Sequence, residues 1–325
     1  MRRLSLVPRR PAADLPEAAP ASSTSVRRLR LDVARRLDGL LHGDHLGHLP
    51  GPGSEPGEAR VYVAGDDVRR IDWAVSARAG DVHVRTPVAE RELETTIVVD
   101  LTPSMSFGTS RTEKREVAVV LTAALAHLAQ GPGDRVGAVV LSDRVRRLPP
   151  RPGRDAELAL LHVLRRERVP DGATGPSLSE GLVVAASTAR RRGLVVVVSD
   201  LLEAGPTGEE PPWAGPLRRL GQRHDLVVVE VLDPRELELP SMGVLRLVDP
   251  ESGRQLEVDT SSRRLRERYA AAAAERRAAN VAAVRKAGGT HVVVRTDRDW
   301  LPDLAHALAA RRRLRAAGRP AGRPR

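Results

Sequence analysis

The sequence predicts an α/β fold with a doubly wound, mostly parallel β-sheet, and three observations support this class. Short runs of β-branched residues, such as 97–100 and 194–199, alternate with longer segments of helical character. Apolar residues make up 41% of the 325-residue chain, which is enough to bury a sizeable core. Aromatic residues contribute only 2%, so Val, Leu and Ala must fill that core, as is typical of buried parallel strands covered by helices.

The first part of the chain offers little regular structure. Residues 1–25 are rich in Pro, Ala and Ser and are expected to form a disordered tail. Residues 26–93 are expected to form a front segment with a small β-rich module. Within it, apolar spacing predicts a short amphipathic helix at 26–41, and two β-like runs at 61–63 and 82–84 predict short strands.

Residues 94–310 are expected to form one domain, because strands and helices alternate there and βαβ crossovers are right-handed. Its predicted strands are 97–100, 135–141, 145–148, 194–199, 226–232 and 291–294, and its predicted helices are 113–130, 156–167, 177–192, 217–223, 262–287 and 300–313. A β-hairpin insertion is expected at about 239–259, since the turn sequence 249–253 joins two short strands there. Residues 311–325 are expected to be a basic disordered tail.

Composition and charge exclude several classes of protein. The chain has no cysteine, which excludes disulfides, thiolate catalysis and Cys-ligated zinc. Its longest apolar runs fall far short of the roughly 20 residues that cross a bilayer, so we expect a cytoplasmic protein without a membrane span. The net charge of +11 makes nucleic-acid binding an alternative function. This alternative is disfavoured, because the aromatic side chains on which bases stack are nearly absent.

Hydroxyl and carboxylate side chains follow two of the predicted strands. Asp100, Thr102 and Ser104 form an Asp-x-Thr-x-Ser pattern, Asp200 follows a second buried strand, and Thr174 lies in a turn before a helix. We expect the two strands to be neighbours, which brings their carboxyl ends to one edge of the sheet. Such oxygen ligands suit Mg²⁺ or Mn²⁺. The alternative is that these residues only end strands and satisfy turns.

The spacing of these residues resembles the metal-ion-dependent adhesion site of von Willebrand factor A domains. One departure is that Thr102 stands where that family usually has its first serine. The resemblance implies that Thr102, Ser104 and Thr174 offer hydroxyls, with Asp100 and Asp200 acting directly or through water. It also implies an under-neutralised cation, which attracts a carboxylate from a partner protein more readily than it activates water.

A second resemblance covers about residues 43–259. The sequence Tyr62-Val63-Ala64-Gly65-Asp66-Asp67-Val68-Arg69-Arg70-Ile71-Asp72-Trp73 is similar to the hallmark of the bacterial domain of unknown function 58 family, and Asp233-Pro234-Arg235-Glu236-Leu237 agrees. This resemblance implies a von Willebrand A-like domain behind a family-specific front segment. It also implies a non-enzymatic adaptor or assembly protein, with a MoxR-type AAA ATPase as the expected partner.

The acidic cluster of Asp66, Asp67 and Asp72 leaves an enzymatic alternative open. A metal-dependent hydrolase would use the same oxygen ligands together with Asp66 or Asp72. We favour a structural role, in which nearby arginines pair with these carboxylates. Trp73 is expected in the core, where a large side chain buries most area. The chain has no P-loop sequence, so nucleotide hydrolysis is expected of a partner only.

Overall fold

The structure is a computed structural model, and it describes residues 5–6, 59–85, 93–109, 112–131, 133–167, 175–203, 209–248 and 255–304. The predicted helix at 26–41, the turn at 249–253, the end of the helix predicted at 300–313 and the basic tail at 311–325 lie outside the described residues.

Strands and helices alternate along the described chain. The strands are β1 (Ser5–Leu6), β2 (Ala59–Val61), β3 (His83–Arg85), β4 (Glu94–Asp100), β5 (Arg135–Leu141), β6 (Val145–Pro152), β7 (Leu194–Ser199), β8 (Asp225–Leu232), β9 (Val244–Val248), β10 (Gln255–Asp259) and β11 (Thr290–Arg295). The α-helices are α1 (Trp73–Ala79), α2 (Lys114–Leu128), α3 (Arg154–Arg166), α4 (Leu178–Thr188), α5 (Ala214–Gly221) and α6 (Arg263–Lys286). A further helix begins at Leu301.

The central sheet has six strands in the order β11-β8-β7-β4-β5-β6. Each neighbouring pair is parallel except β5 and β6, which are antiparallel. The predicted α/β class with a mostly parallel sheet is therefore confirmed, as is the pairing of the strands that end at Asp100 and Ser199. Strand β6 continues four residues beyond its predicted end at 148, through three prolines. Its place at the edge of the sheet permits this, because proline cannot donate to a neighbouring strand.

Helices cover both faces of this sheet. Ile97 and Val99 of β4 pack on the face covered by α2 and α3. Val98 points to the opposite face and packs with residues of α4, α5 and α6. Since all three side chains are fully buried, β4 reads as a continuous apolar run, as expected of a central strand in a doubly wound fold.

A second, smaller sheet has the order β1-β9-β10 and is antiparallel. Strands β9 and β10 are the two arms of the expected hairpin insertion. Ser5 and Leu6 form β1 and pair with Val248 and Leu247. The outer edge of β9 offers backbone groups that a short segment can pair with. The rest of the tail expected at 1–25 lies outside the described residues.

The front module contains the antiparallel pair β2 and β3, with α1 between them in sequence. Trp73 is 71% exposed, so the expectation that it lies in the core is wrong. The reason is local, because Asp72 caps α1 and makes Trp73 the first residue of a short helix that buries none of its side chains. Trp213 and Trp300 are buried, at 0% and 8% exposure. Among the described residues, every helix is either too short or too polar to cross a membrane.

Candidate metal centre

Two adjacent strands deliver the predicted metal-binding side chains. Asp100 is the last residue of β4, and Asp200 directly follows the neighbouring strand β7. After Asp100, Thr102 is the N-cap of a short 3₁₀ helix, Pro103–Met105, and Pro103 occupies its first turn. This turn brings Ser104 back beside the strand end, and all four polar side chains are buried.

Thr102 contacts both Asp100 and Ser104. The backbone N–H and the hydroxyl of Thr102 both donate to Oδ1 of Asp100, at 3.0 and 2.6 Å. The Thr102 and Ser104 hydroxyl oxygens lie 3.2 Å apart. Oδ2 of Asp100 accepts a hydrogen bond from the Ser199 hydroxyl at 2.7 Å. Three of the five predicted ligands therefore form one cluster of oxygen atoms.

Asp200 is held by a residue that the sequence analysis missed. The ammonium of Lys114 donates to Oδ2 of Asp200 at 2.7 Å and to Oε1 of Glu236 at 2.5 Å. The backbone N–H of Leu202 donates to the other oxygen of Asp200 at 3.1 Å. A signal for Lys114 does exist in the sequence, because it is one of only two lysines among 53 basic residues.

The two aspartates of the centre have different proton affinities. Burial, together with the nearby charge of Asp200, raises the pKa of Asp100 to about 6, although hydrogen bonds from Thr102 and Ser199 oppose the shift. Burial also acts to raise the pKa of Asp200, but the ammonium of Lys114 outweighs it and brings the pKa below its usual value. Burial tends to lower the pKa of Lys114, yet its two carboxylate partners raise it above the usual value. Both aspartates and the lysine are therefore charged above pH 7.

Thr174, the remaining predicted ligand, lies outside the described residues. The next residue, Gly175, lies directly against the centre. A Cβ atom on Gly175 would come within 2.8 Å of both Cγ2 of Thr102 and the carbonyl oxygen of Ser142. Only glycine fits this approach, and the assignment of Thr174 as a ligand stays a prediction.

The oxygen cluster lines an open pocket of about 380 Å³. Asp100, Thr102, Ser104, Ser199 and Asp200 contribute polar atoms to its wall. The remaining lining residues are Gly175, Pro176, Ser177, Leu178, Leu202, Glu203 and Pro212. A group carried by a second molecule can therefore reach the oxygen cluster from outside.

The loop after β7 has an unusual backbone conformation beside this pocket. Leu201 adopts a φ of 51°, a left-handed conformation that is sterically unfavourable for a residue with a branched side chain. The side-chain amide of Asn280 on α6 donates to the Leu201 carbonyl at 3.3 Å. Helix α6 thus supports the turn that presents Asp200.

The donor atoms fit a hard divalent cation. Carboxylate and hydroxyl oxygens from adjacent strand ends are ligands that suit Mg²⁺ and Mn²⁺. Within the described ranges, no group of three or more His, Cys, Asp or Glu side chains could hold a metal ion. A cation here would therefore depend on hydroxyl oxygens as well as the two aspartates, and Asp200 already shares one oxygen with Lys114.

The acidic residues of the front module serve the local backbone. Asp66 accepts a hydrogen bond from the Val63 N–H at 2.9 Å, and Asp67 accepts one from the Arg69 N–H at 3.0 Å. Asp72 caps α1 by accepting from two backbone N–H groups. These bonds give all three carboxylates a structural role in turns and in a helix cap.

Comparisons with known proteins place the front module and most of the α/β domain in one family. Residues 58–279 match the family described as "Protein of unknown function DUF58". This chain belongs to the DUF58 family. An uncharacterized protein of Mycobacterium tuberculosis (strain ATCC 25618 / H37Rv) is 44% identical to this DUF58 protein over 303 residues, which are 92% of each chain.

Two solved structures show similarity to this DUF58 protein. The conserved hypothetical protein BatB from Bacteroides thetaiotaomicron has 15% sequence identity and a TM-score of 0.43, over 69% of this chain and 99% of that chain. The SpRpn10 VWA domain has 11% sequence identity and a TM-score of 0.37, over 66% of this chain and 94% of that chain.

Proposed function

We propose that this DUF58 protein is a non-enzymatic adaptor that binds a protein partner through a divalent metal ion, Mg²⁺ or Mn²⁺. One observation carries the proposal. The Thr102 hydroxyl lies within hydrogen-bonding distance of both Asp100 and the Ser104 hydroxyl, in an open pocket that Asp200 also lines. Asp100, Thr102 and Ser104 would hold the ion, with Asp200 and Thr174 acting directly or through water.

The charge of the centre favours binding over turnover. Lys114 offsets the charge of Asp200, so Asp100 is the one ligand whose negative charge is not balanced by an adjacent ammonium. A divalent ion held mainly by one carboxylate and neutral hydroxyls keeps positive charge. Its open side would attract a carboxylate from a partner. Activation of a bound water needs a free general base, and Asp100 and Asp200 are already engaged by hydrogen bonds.

The partner that we propose is a MoxR-type AAA ATPase, with which the protein would act in the assembly or maturation of other proteins. The family resemblance of the front motif and of residues 233–237 supports this assignment. The charge of the centre adds a chemical requirement, which is an exposed Asp or Glu on the contacting surface of the ATPase.

Titration calorimetry tests the metal site. We expect wild-type protein to bind Mg²⁺ and Asp100→Ala to lose the binding heat, because this substitution removes the main charged ligand. Asp155→Ala is the matched control, since Asp155 is exposed on the first turn of α3, outside the pocket. A binding heat for Asp100→Ala as large as a measurable heat for Asp155→Ala would refute the assignment of Asp100 as the main metal ligand.

Retention on the purified ATPase tests the partnership. Wild-type protein should be retained in Mg²⁺ and released by EDTA, whereas Ser104→Ala should be retained weakly in either condition. Retention that is strong and insensitive to EDTA for both proteins would show that the contact does not use the metal.

A further inference from the structure

Lys114 is a fully buried cation that contacts Asp200 of the proposed metal centre. Its side chain is 0% exposed and lies between two carboxylates, at 2.7 Å from Asp200 and 2.5 Å from Glu236. The ring of Phe107 lies below the ammonium, with its centroid at 5.6 Å. The face of an aromatic ring attracts a cation, so three groups favour a positive charge at this position.

The ammonium is also fixed in place by the loop that follows β8. Glu236 accepts a hydrogen bond from the backbone N–H of Asp233 at 3.1 Å, in a capping box at the start of the 3₁₀ helix Pro234–Glu236. The carboxylate of Asp233 in turn accepts hydrogen bonds from the hydroxyls of Thr109 and Thr296. These hydrogen bonds hold Glu236 beside the Lys114 ammonium.

We infer that Lys114 is a built-in competitor of the metal ion. Its ammonium donates to Oδ2 of Asp200 and offsets the charge of this carboxylate, and so keeps the centre's own affinity for metal low. Firm retention of the ion then depends on the carboxylate that a partner brings. This inference rests on the metal site of the proposed function, and it makes Lys114 a positioning residue that acts through Asp200.

Two physical effects of the Lys114 ammonium lower the affinity of the centre for a metal ion. The ammonium repels a divalent cation in a buried site, where charges interact more strongly than in water. It also occupies Oδ2 of Asp200 by donating a hydrogen bond to it. Removal of the ammonium should end the repulsion and release that oxygen for the metal.

Lys114→Met is the substitution that tests the inference, because methionine keeps the length of the side chain and removes its charge. We expect Mg²⁺ to bind Lys114→Met about tenfold or more tightly than wild type in titration calorimetry. The matched control is Lys286→Met, which makes the same change of charge at the other lysine, an exposed residue paired with Glu210. Its affinity for Mg²⁺ should equal that of wild type.

The double variant Lys114→Met/Glu236→Gln keeps the test usable if Lys114→Met alone fails to fold. It removes the positive charge of Lys114 and the negative charge of Glu236 together. Asp200 is then the only carboxylate of the trio that lacks its ammonium partner. In both Lys114 variants, Mg²⁺ should raise Tm by more than it does in wild type, because the ion replaces the lost counter-charge. A purely structural role for Lys114 would give the opposite result, since a disordered centre would bind metal more weakly.

The possible outcomes separate this inference from the proposed function. Tight binding in Lys114→Met with none in wild type would support the competitor role and refute metal use by the wild-type protein alone. Binding in wild type with equal or weaker binding in both Lys114 variants would overturn the inference and leave the proposed function standing. Absence of binding in every variant would overturn both.

Discussion

Gly221→Ala is expected to lower the free energy of unfolding by about 3 kcal/mol. A Cβ atom at Gly221 would lie 1.9 Å from the carbonyl oxygen of Ala287, the residue that ends α6. This oxygen belongs to the backbone and cannot rotate away, so α5 and α6 must move apart. Their shared core, which includes Leu217, Leu220 and Val284, would lose close packing.

Gly215→Ala is the matched control on the same helix. A Cβ atom at this position meets nothing within 4 Å, and alanine favours a helix over glycine, so stability should stay unchanged or rise by up to about 1 kcal/mol. Urea unfolding followed by circular dichroism measures both variants. Equal stability of the two variants would show that α5 and α6 are not in close contact at Gly221.

Asp100→Asn is expected to stabilise the metal-free protein at pH 7.5 by about 3 kcal/mol. The folded state raises the pKa of Asp100 from 3.8 to about 6, so the folded protein holds this proton more tightly than the unfolded chain does. Ionised Asp100 therefore opposes folding at every pH above 6. This cost is relieved as the pH falls from about 6 toward 3.8, because the folded state takes up the proton before the unfolded chain does.

The measurement is urea unfolding in EDTA at pH 7.5 and at pH 4, with wild type and Asp155→Asn as references. The stabilisation by Asp100→Asn should be present in full at pH 7.5 and largely lost at pH 4. Asparagine can still accept from Thr102, and its amide can donate to Ser199, so the hydrogen bonds of the buried site are kept. If Asp100→Asn were less stable than wild type at pH 7.5, the charge of Asp100 would not oppose folding.

Added Mg²⁺ should reverse the order of these two proteins. An ion beside Asp100 compensates its charge and stabilises wild type through binding to the folded state, whereas Asp100→Asn offers a weaker ligand. The same carboxylate would therefore lower stability without metal and raise it with metal. The charge of Asp100 would thus lower the stability of the metal-free protein and be kept because it binds the ion.

The sheet and much of the centre follow from local sequence. The β-branched runs that became β4 and β7 identify two buried central strands, and the rule that parallel strands end at one edge brings Asp100 and Asp200 together. Thr102 and Ser104 lie two and four residues after Asp100, so one 3₁₀ turn joins all three. Short-range spacing was enough to predict these contacts.

Other features depend on contacts that local sequence does not encode. Lys114 binds residues that are 86 and 122 positions away, and nothing in its helix distinguishes a buried lysine from an exposed one. The large apolar area of Trp73 predicts a core position, but Trp73 is the first residue of a short helix that buries none of its side chains. Pairing of β1 with β9 depends on a free strand edge, which composition alone does not reveal.

The position of Trp73 gives this protein an optical reporter in its front module. Trp73 is open to solvent, whereas Trp213 and Trp300 are enclosed by the core. A soluble quencher such as acrylamide should therefore reach the Trp73 indole and leave the emission of the other two largely unchanged. Protection of this quenchable signal when a second molecule is added would reveal contact at the front module without any label.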